Sequence, residues 1–244
     1  MMNRSDIAII IPCYNEYHRL PLDKFLSFGK EHPEFYFLFV DDGSTDGTGD
    51  LIKPYCSGQF DLLTFPENSG KAEAVRQGSL LALQKGFSRI AFWDADLATP
   101  LEEIFPFIIK MDQEKNWDMI IGSRIHRLGA NINRTIWRHL TGRILMTIIL
   151  SLTVDFAVYD SQCGAKIMTA ESARIIMDKP FFTKWLFDLE MLVRLEQFRQ
   201  TSLSSRVYEY PLSEWHEIGC SKVRIFTVLA DLIRFFRHYR RRTV

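Results

Sequence analysis

Residues 35–47 decide the fold class of this 244-residue chain. Residues 35–40 read FYFLFV, an unbroken apolar run, and residues 41–47 read DDGSTDG, which is polar and glycine-rich. A short apolar run that ends at turn-forming residues is typical of a strand buried on both of its faces. Paired acids and glycines directly after that run predict a polar loop at the carboxyl end of the strand.

The same alternation continues through the first half of the chain. Short apolar runs predict strands at residues 7–11, 35–40, 62–65, 90–93 and 119–121. The stretches between them predict helices at residues 22–30, 46–56, 71–85 and 101–114. Alternating strands and helices, with strands that are apolar throughout, predict an α/β fold in which helices flank a mostly parallel sheet.

The residues that follow each strand are the first candidates for a site, because parallel α/β sheets bind ligands beyond the carboxyl ends of their strands. Four predicted strands lead into polar loops. These loops are Pro12-Cys13-Tyr14-Asn15-Glu16, Asp41-Asp42-Gly43-Ser44-Thr45-Asp46-Gly47, Asn68-Ser69-Gly70-Lys71 and Asp94-Ala95-Asp96. One such loop is an ordinary turn, but four at one edge of a sheet predict a binding site.

Asp94 and Asp96 place two carboxylates two residues apart, just past an apolar strand. Around a loop both can turn toward one hard cation, and oxygen ligands of this kind suit Mg²⁺ or Mn²⁺ bridging a diphosphate. Asp-x-Asp is also common in plain turns. Its position directly after the strand at residues 90–93 favours the metal site.

Asp41 and Asp42 could accept hydrogen bonds from a base N–H and from ribose hydroxyls. The alternative is a turn with a helix N-cap at Thr45 or Asp46. The segment that ends at Lys71 opens the next helix, where backbone N–H groups and the lysine could hold a phosphate. The alternative for Lys71 is a solvated lysine in the first helical turn.

Charge is distributed unevenly, although 30 Lys and Arg balance 30 Asp and Glu. Residues 124–143 hold five arginines and no acid, and residues 222–242 hold seven basic residues and one acid, Asp231. These segments carry +5 and +6, so the remainder of the neutral chain carries −11. An acidic body with two basic segments suits a cation, a phosphate and an anionic membrane surface, and no nucleic acid is expected.

The location of the protein is predicted from its cysteines and its apolar runs. Four cysteines without a CxxC pair favour a reducing compartment. The longest uncharged apolar stretch, residues 144–154, has 11 residues, whereas a membrane span needs about 20. The N-terminus lacks the zones of a signal peptide. We expect a cytoplasmic protein attached peripherally to the cytoplasmic face of a membrane.

The second half of the chain is predicted to carry two basic helices. Residues 131–153 read as a basic helix-like stretch, and two further helical segments follow residue 164. In the last helix Phe226, Leu229, Ile233 and Phe236 share one face, with basic residues near or opposite them. Such a helix can lie in a membrane interface, and the alternative is packing on the domain or on another subunit. We expect one domain, residues 1–244, comprising a nucleotide-sugar-binding half (1–125), an acceptor half (126–210) and a basic amphipathic C-terminal segment (211–244).

The first-half motifs together resemble the family 2 glycosyltransferases, which have a Rossmann-like GT-A fold and use nucleotide-sugar donors. They are Ile11-Pro12-Cys13-Tyr14-Asn15-Glu16, Val40-Asp41-Asp42-Gly43-Ser44-Thr45-Asp46-Gly47-Thr48, Asn68-x-Gly70-Lys71 and Asp94-Ala95-Asp96. Three later motifs look like those of dolichyl-phosphate β-glucosyltransferases, a group within the polyprenyl-phosphate glycosyltransferases. They are Asp160-Ser161-Gln162-Cys163-Gly164-Ala165-Lys166, Trp185-Leu186-Phe187-Asp188-Leu189-Glu190 and Trp215-His216-Glu217-Ile218-Gly219-Cys220-Ser221-Lys222.

The resemblance implies roles for individual residues. Those expected to bind the nucleotide-sugar are Pro12, Tyr14, Glu16, Asp41, Asp42, Ser44, Lys71, Asp94 and Ala95. Those expected on the acceptor and phosphate side are Arg124, Arg134, Arg138, Gln162, Cys163, Gly164, Trp185, Glu190, Lys222 and Arg224. The expected catalytic residues are Asp94, Asp96, Arg124 and Asp188, and the expected ligands of Mg²⁺ or Mn²⁺ are Asp96 and Asp94, with His216 as a further candidate or a plain surface imidazole.

The expected activity is inverting transfer of a hexose, glucose by the resemblance, from UDP-glucose to a polyprenyl or dolichyl phosphate. A phosphate monoester is largely dianionic at pH 7 and needs no general base, whereas a hydroxyl acceptor would make Asp188 the natural base. Two rivals remain open. One is a family 2 transferase with a soluble or glycan hydroxyl acceptor, and the other is a non-catalytic nucleotide-sugar-binding domain.

Overall fold

The computed structural model describes residues 6–113, 116–133, 158–218 and 225–239. Its strands are β1 (Ile7–Cys13), β2 (Phe35–Asp41), β3 (Phe60–Thr64), β4 (Arg89–Trp93), β5 (Met119–Ser123), β6 (Asn131–Asn133), β7 (Ala165–Thr169), β8 (Val207–Pro211) and β9 (Glu214–His216). Its α-helices are α1 (Leu22–Glu31), α2 (Thr48–Ile52), α3 (Lys71–Gln84), α4 (Ile104–Gln113), α5 (Ala170–Met177), α6 (Phe187–Arg199) and α7 (Ile225–Tyr239).

Seven strands form one sheet in the order β3-β2-β1-β4-β7-β5-β8. All neighbouring strands are parallel except at β7, which runs antiparallel to both β4 and β5. The chain builds outward from β1 to β3 and then returns to the other side of β1 with β4. The carboxyl ends of β1 and β4 therefore flank the point where the strand order reverses, which is where such sheets bind ligands.

Helices cover both faces of the sheet, as the apolar strands predict. In β1, Ile9 and Ile11 point toward a core that includes Phe25 of α1 and Phe107 of α4. Ile10, between them, points toward the opposite core, which α3, α5 and α6 cover. Successive side chains of a strand point to opposite faces, so a strand between two helical layers must be apolar at every position. The predicted α/β fold is confirmed.

Several predicted element boundaries need correction. The helix predicted at residues 46–56 is reduced to α2 and a 3₁₀ turn at Lys53–Tyr55, and the strand predicted at 62–65 begins at Phe60 as β3. Because β3 is the edge strand, its residues are only partly buried. Residues 131–133 were predicted to be helical but form β6, which pairs with β9 in a separate two-stranded sheet. The remainder of that predicted helix, residues 134–153, lies outside the described residues.

Strand β7 lies inside the sheet, between β4 and β5, although the sequence predicts only helices after residue 164. Its sequence, AKIMT, carries Lys166 between apolar residues, and this lysine interrupts the apolar run by which a buried strand is predicted. The sheet thus draws β7 and β8 from the predicted acceptor half, so the division at residue 125 is not a division of the sheet. The organisation as a single domain stays a prediction.

The C-terminal helix α7 packs on α6. Phe235 and Tyr239 are buried against Leu189 and Val193 of α6, with Leu186 completing the cluster. The opposite side of α7 carries Ile233, 59% exposed. Among the described side chains of α7, Phe235 and Tyr239 thus pack on α6 and Ile233 stays exposed. No helix among the described residues is long and apolar enough to cross a bilayer.

Candidate active site

The first two loops of the carboxyl edge are tied to each other by hydrogen bonds. The backbone N–H of Asn15 donates to Ser44 Oγ (2.9 Å), and the Asn15 side-chain oxygen accepts from the Thr45 N–H (2.9 Å). The Glu16 N–H donates to Thr48 Oγ1 (2.9 Å). Ser44 therefore holds the loop that follows β1, which carries the exposed Tyr14, whereas Pro12 lies within the end of β1.

The two acids at the end of β2 organise the backbone around them. Asp41, which is buried, accepts from the Ser44 N–H (3.1 Å). Asp42 accepts from the backbone N–H groups of Ser69 (2.7 Å) and Gly70 (2.8 Å). Those two N–H groups are thus engaged by a carboxylate, and phosphate binding by Lys71 and the other N–H groups at this helix start stays a prediction. Asp42 fixes the third loop at the start of α3.

A cavity of about 680 Å³ opens on the α2 side of this second loop. Its lining includes Asp41, Ser44, Lys53 and Asp61. The cavity therefore adjoins the predicted nucleoside-binding residues, but Asp94 and Asp96, which follow β4, do not line it.

Lys71, Asp94 and Gly164 meet at the centre of the carboxyl edge. The Lys71 ammonium pairs with Asp94 Oδ1, and the Asp94 N–H donates to the Gly164 carbonyl (2.9 Å). A Cβ atom on residue 164 would lie 1.9 Å from Asp94 Oδ2, so any side chain there would displace the Asp94 carboxylate. Loss of hydration disfavours the charged lysine, but Asp94, Asp188 and Asp96 raise its pKa above the ordinary value. The lysine stays a cation beside the predicted metal ligands.

Asp96 lies next to Asp94 in a loop that β9 supports. Its Oδ1 accepts from the Ala98 N–H (3.0 Å), and the Ala98 carbonyl accepts from the His216 N–H (2.8 Å). Burial and the neighbouring Asp94 charge raise the pKa of Asp96. Two carboxylates that repel each other in a partly buried loop form an oxygen donor pair that fits Mg²⁺ or Mn²⁺. Ala95, between them, is buried.

Among the described residues, Asp94 and Asp96 have no third metal-ligating side chain beside them. His216 comes near the loop through its backbone, but its ring Nε2 contacts Glu214 Oε1 at 2.6 Å. Within the described residues, no three His, Cys, Asp or Glu side chains are arranged to hold a metal ion. The oxygens of a bound nucleotide diphosphate would add ligands to a cation on Asp94 and Asp96.

Arg124, at the end of β5, is held by Asp160. Its Nε and Nη2 each donate to one carboxylate oxygen of Asp160 (2.6 Å), and its guanidinium carbon lies 5.3 Å from the Trp215 ring centre. Burial disfavours the charged form, but Asp160 raises the pKa of Arg124 above its usual range. Its forked donor face is already bound to a carboxylate. Arg124 thus connects the end of β5 with the two predicted motifs at residues 160–166 and 215–222.

Asp188 pairs with a fully buried lysine. Lys166 Nζ donates to Asp188 Oδ1 (2.5 Å) and to the Cys163 carbonyl (2.6 Å). Burial raises the pKa of Asp188, and the Lys166 and Lys71 charges oppose that shift. A buried, ion-paired carboxylate is poorly placed to take a proton from an acceptor. The sequence assigns Lys166 no role, because a single lysine between apolar residues does not indicate that it is buried or ion-paired.

The other residues predicted for the acceptor side differ in their surroundings. Burial raises the pKa of the Cys163 thiol to about 11, so it is not a thiolate nucleophile at neutral pH. The Nε2 of Gln162 is buried and has no hydrogen-bond acceptor in the described parts of the chain.

Glu190 is fully buried, and its carboxylate accepts hydrogen bonds from the backbone N–H groups of residues 182 and 183. The backbone N–H of Trp185 donates to Asp231 (2.5 Å). Arg134, Arg138, Lys222 and Arg224 lie outside the described residues.

Comparison with known sequences identifies the family. The sequence profile described as "Glycosyl transferase family 2" matches residues 8–174, which include all four loops of the carboxyl edge. The chain belongs to glycosyl transferase family 2. Dolichyl-phosphate beta-glucosyltransferase ALG5C of Trichomonas vaginalis is 32% identical over 250 residues, covering 96% of this chain and 71% of the relative. Human dolichyl-phosphate beta-glucosyltransferase is 31% identical, covering 90% of this chain and 70% of the relative.

Solved structures of the same fold support this glycosyltransferase architecture. Glucosyl-3-phosphoglycerate synthase from Mycobacterium tuberculosis, in complex with Mn²⁺, UDP and glucosyl-3-phosphoglycerate, superimposes with a TM-score of 0.61 at 18% identity, covering 95% of this chain and 77% of that one. Mannosyltransferase PcManGT from Pyrobaculum calidifontis, in complex with GDP-Man and Mn²⁺, gives a TM-score of 0.61 at 15% identity, covering 97% and 64%. The GT-A fold predicted for this family 2 glycosyltransferase is confirmed.

Proposed function

We propose that this family 2 glycosyltransferase transfers glucose from UDP-glucose to dolichyl phosphate, or a related polyprenyl phosphate, with inversion at the anomeric carbon. The observation that carries the proposal is the meeting of Lys71, Asp94 and Gly164, from three separate motifs, at the reversal point of the sheet. Relatives named for this reaction, 31–32% identical over at least 90% of the chain, support the choice of substrates.

The acceptor phosphate makes the reaction possible without a general base. One of its oxygens bonds to the anomeric carbon while the bond from that carbon to the UDP oxygen breaks. A phosphate monoester is already largely dianionic at pH 7, so no proton has to be removed from it. This chemistry agrees with the burial of Asp188 and its ion pair with Lys166. A hydroxyl acceptor would need an accessible base.

A divalent cation, Mg²⁺ or Mn²⁺, would be held by Asp96 and Asp94. When bound, such a cation neutralises the negative charge that develops on the departing diphosphate. Lys71 stays positively charged beside Asp94 and can bind the same phosphates. Gln162 offers a buried amide donor that an oxygen of the sugar or the acceptor can satisfy.

We further propose that the outer side of α7 attaches the protein to an anionic membrane surface. Ile233 and Arg237 are exposed on this helix, whereas Phe235 and Tyr239 are buried on α6. A basic helix with an outward apolar side can lie in a membrane interface. Co-sedimentation with anionic liposomes tests the proposal, and absence of binding at low salt would refute it.

The activity is tested by measuring UDP release from UDP-glucose with and without a short-chain polyprenyl phosphate. Release that depends on the lipid phosphate supports the proposal. Release that requires a soluble sugar or glycan instead would identify the hydroxyl-acceptor rival, and UDP-glucose binding with no release under any condition would identify the non-catalytic rival. A donor screen with UDP- and GDP-sugars then establishes the base and the sugar.

A further inference from the structure

Residues 182–185 form a short loop whose backbone is held from two sides. Glu190 of α6, which is fully buried, lies on one side of the loop. Its carboxylate accepts from the N–H groups of Phe182 and Thr183 (3.1 Å) and from the Thr183 hydroxyl (2.9 Å). Burying a carboxylate is costly unless it is well hydrogen-bonded, and these bonds are directed at the loop.

Asp231 of α7, which is also fully buried, lies on the other side of the loop. Its Oδ2 accepts from the N–H groups of Lys184 (2.8 Å) and Trp185 (2.5 Å). The Tyr239 hydroxyl of the same helix donates to Glu190 Oε1 (3.1 Å). Two buried carboxylates from two helices therefore fix four consecutive residues.

The loop lies beside the donor side of the active site. Phe187, two residues after the loop, packs against Phe92 of β4 with ring centres 6.2 Å apart, and the Lys71 ammonium is 6.0 Å from the Phe187 ring centre. Burial raises the pKa of Asp42, and Lys184 is close enough to lower it. The Lys184 side chain is exposed, and it makes no ion pair with any described residue.

We propose that Lys184 binds a phosphate group of a substrate and that Asp231 positions it for that role. The ligand is either the diphosphate of the donor or the phosphate of the acceptor. This inference rests on the proposed function, because it takes the phosphates from that reaction. An ammonium is a point charge suited to phosphate, and a fixed backbone lowers the entropy cost of presenting it.

The test compares K184A with K179A, which removes another exposed lysine five residues earlier. Two equilibrium constants are measured for each variant, one for UDP with Mn²⁺ and one for a short-chain polyprenyl phosphate. We expect K184A to weaken one of them about tenfold or more, K184R to keep most of the affinity and K179A to match the wild type. A change confined to UDP identifies the donor diphosphate, and one confined to the lipid identifies the acceptor.

Both measurements record binding, so absence of turnover in the wild type would overturn the proposed function without affecting this test. If K184A binds both ligands within twofold of K179A, the role of Lys184 is refuted.

Asp231 is tested by D231N and by the double variant D231N/K184A, with thermal unfolding measured to verify that each is folded. If Asp231 acts through Lys184, D231N weakens the same ligand and the double variant binds it no more weakly than K184A. Additive losses would refute the positioning role of Asp231, as would unchanged binding by D231N. Should D231N fail to fold, the K184A and K184R comparison still decides the role of Lys184.

Discussion

Gly164 lies so close to Asp94 that a side chain on residue 164 would displace the Asp94 carboxylate. We predict that G164A lowers turnover by about a hundredfold or more, since misplacing a positioned group by about 1 Å can cost that much. The measurement is UDP release under saturating substrates, together with thermal unfolding.

G86A provides the control for this prediction. Gly86 has a φ of +87° and no neighbouring atom within 4 Å of an added Cβ. Alanine there should cost about 1–2 kcal/mol of stability through backbone strain and leave turnover unchanged. Equal turnover by G164A and the wild type would contradict the close packing on Asp94.

The Lys166–Asp188 pair makes a prediction about stability. D188N leaves the buried Lys166 charge without its partner, which should cost about 3–5 kcal/mol of the free energy of unfolding. Replacing both residues, as K166M/D188L, should recover most of that loss, because the apolar pair leaves no buried charge. Denaturant unfolding measures both variants. Equal losses in D188N and the double variant would mean that packing, not the ion pair, dominates.

At the scale of elements, α7 packs Phe235 and Tyr239 on α6 and exposes Ile233. We predict that I233E weakens binding to anionic liposomes about tenfold or more, because it removes an apolar side chain that would enter the membrane interface and adds a repelled charge. The matched control is I109E on α4, since Ile109 is 54% exposed and Ile233 is 59% exposed. Co-sedimentation compares the two, and similar losses in both variants would argue against α7 as the attachment face.

The loops after β1 and β2 should loosen in acid. Burial works against the charged form of Asp46, but hydrogen bonds from Thr48 and Tyr17 lower its pKa below the ordinary value. A carboxylate with a lowered folded-state pKa contributes stability above its unfolded pKa, near 3.9, and that contribution is lost as the pH falls through the folded-state pKa. We therefore predict that D46N is less stable than the wild type at pH 7 and that the difference shrinks below about pH 4. Denaturant unfolding at both pH values measures it, and a constant difference would contradict the prediction.

For the whole molecule, the nucleotide and the cation should stabilise the fold together. At a hundredfold excess over Kd, bound UDP contributes about 2.7 kcal/mol, which corresponds to roughly 5–10 °C in Tm for a chain of this size. We predict this rise with UDP and Mn²⁺ and a much smaller one with UDP and EDTA. In D96N the two conditions should give the same Tm. A full rise in EDTA would show that the cation is not required for binding.

Much of the site was predictable because it depends on chain order. A parallel sheet brings the ends of successive strands to one edge, so Asp41, Lys71, Asp94 and Asp96 could be grouped from their positions alone. Their individual contacts could not. Asp42 and Glu190, which are predicted to bind substrate, accept hydrogen bonds from backbone N–H groups of neighbouring loops, and no sequence pattern indicates those contacts. Such contacts depend on which loop packs against which carboxylate.

The sequence by itself determined the α/β class, the family and the edge of the sheet that carries the site, because apolar runs and loop residues follow one another along the chain. Only the tertiary structure decided that β7 enters the sheet antiparallel, that Lys166 neutralises Asp188, and that Asp231 reaches residues 184–185 from a helix 46 residues away. Asp231 was visible only as the single acid of a basic segment. Pairing between distant residues depends on packing in three dimensions, which leaves no period or spacing in the sequence.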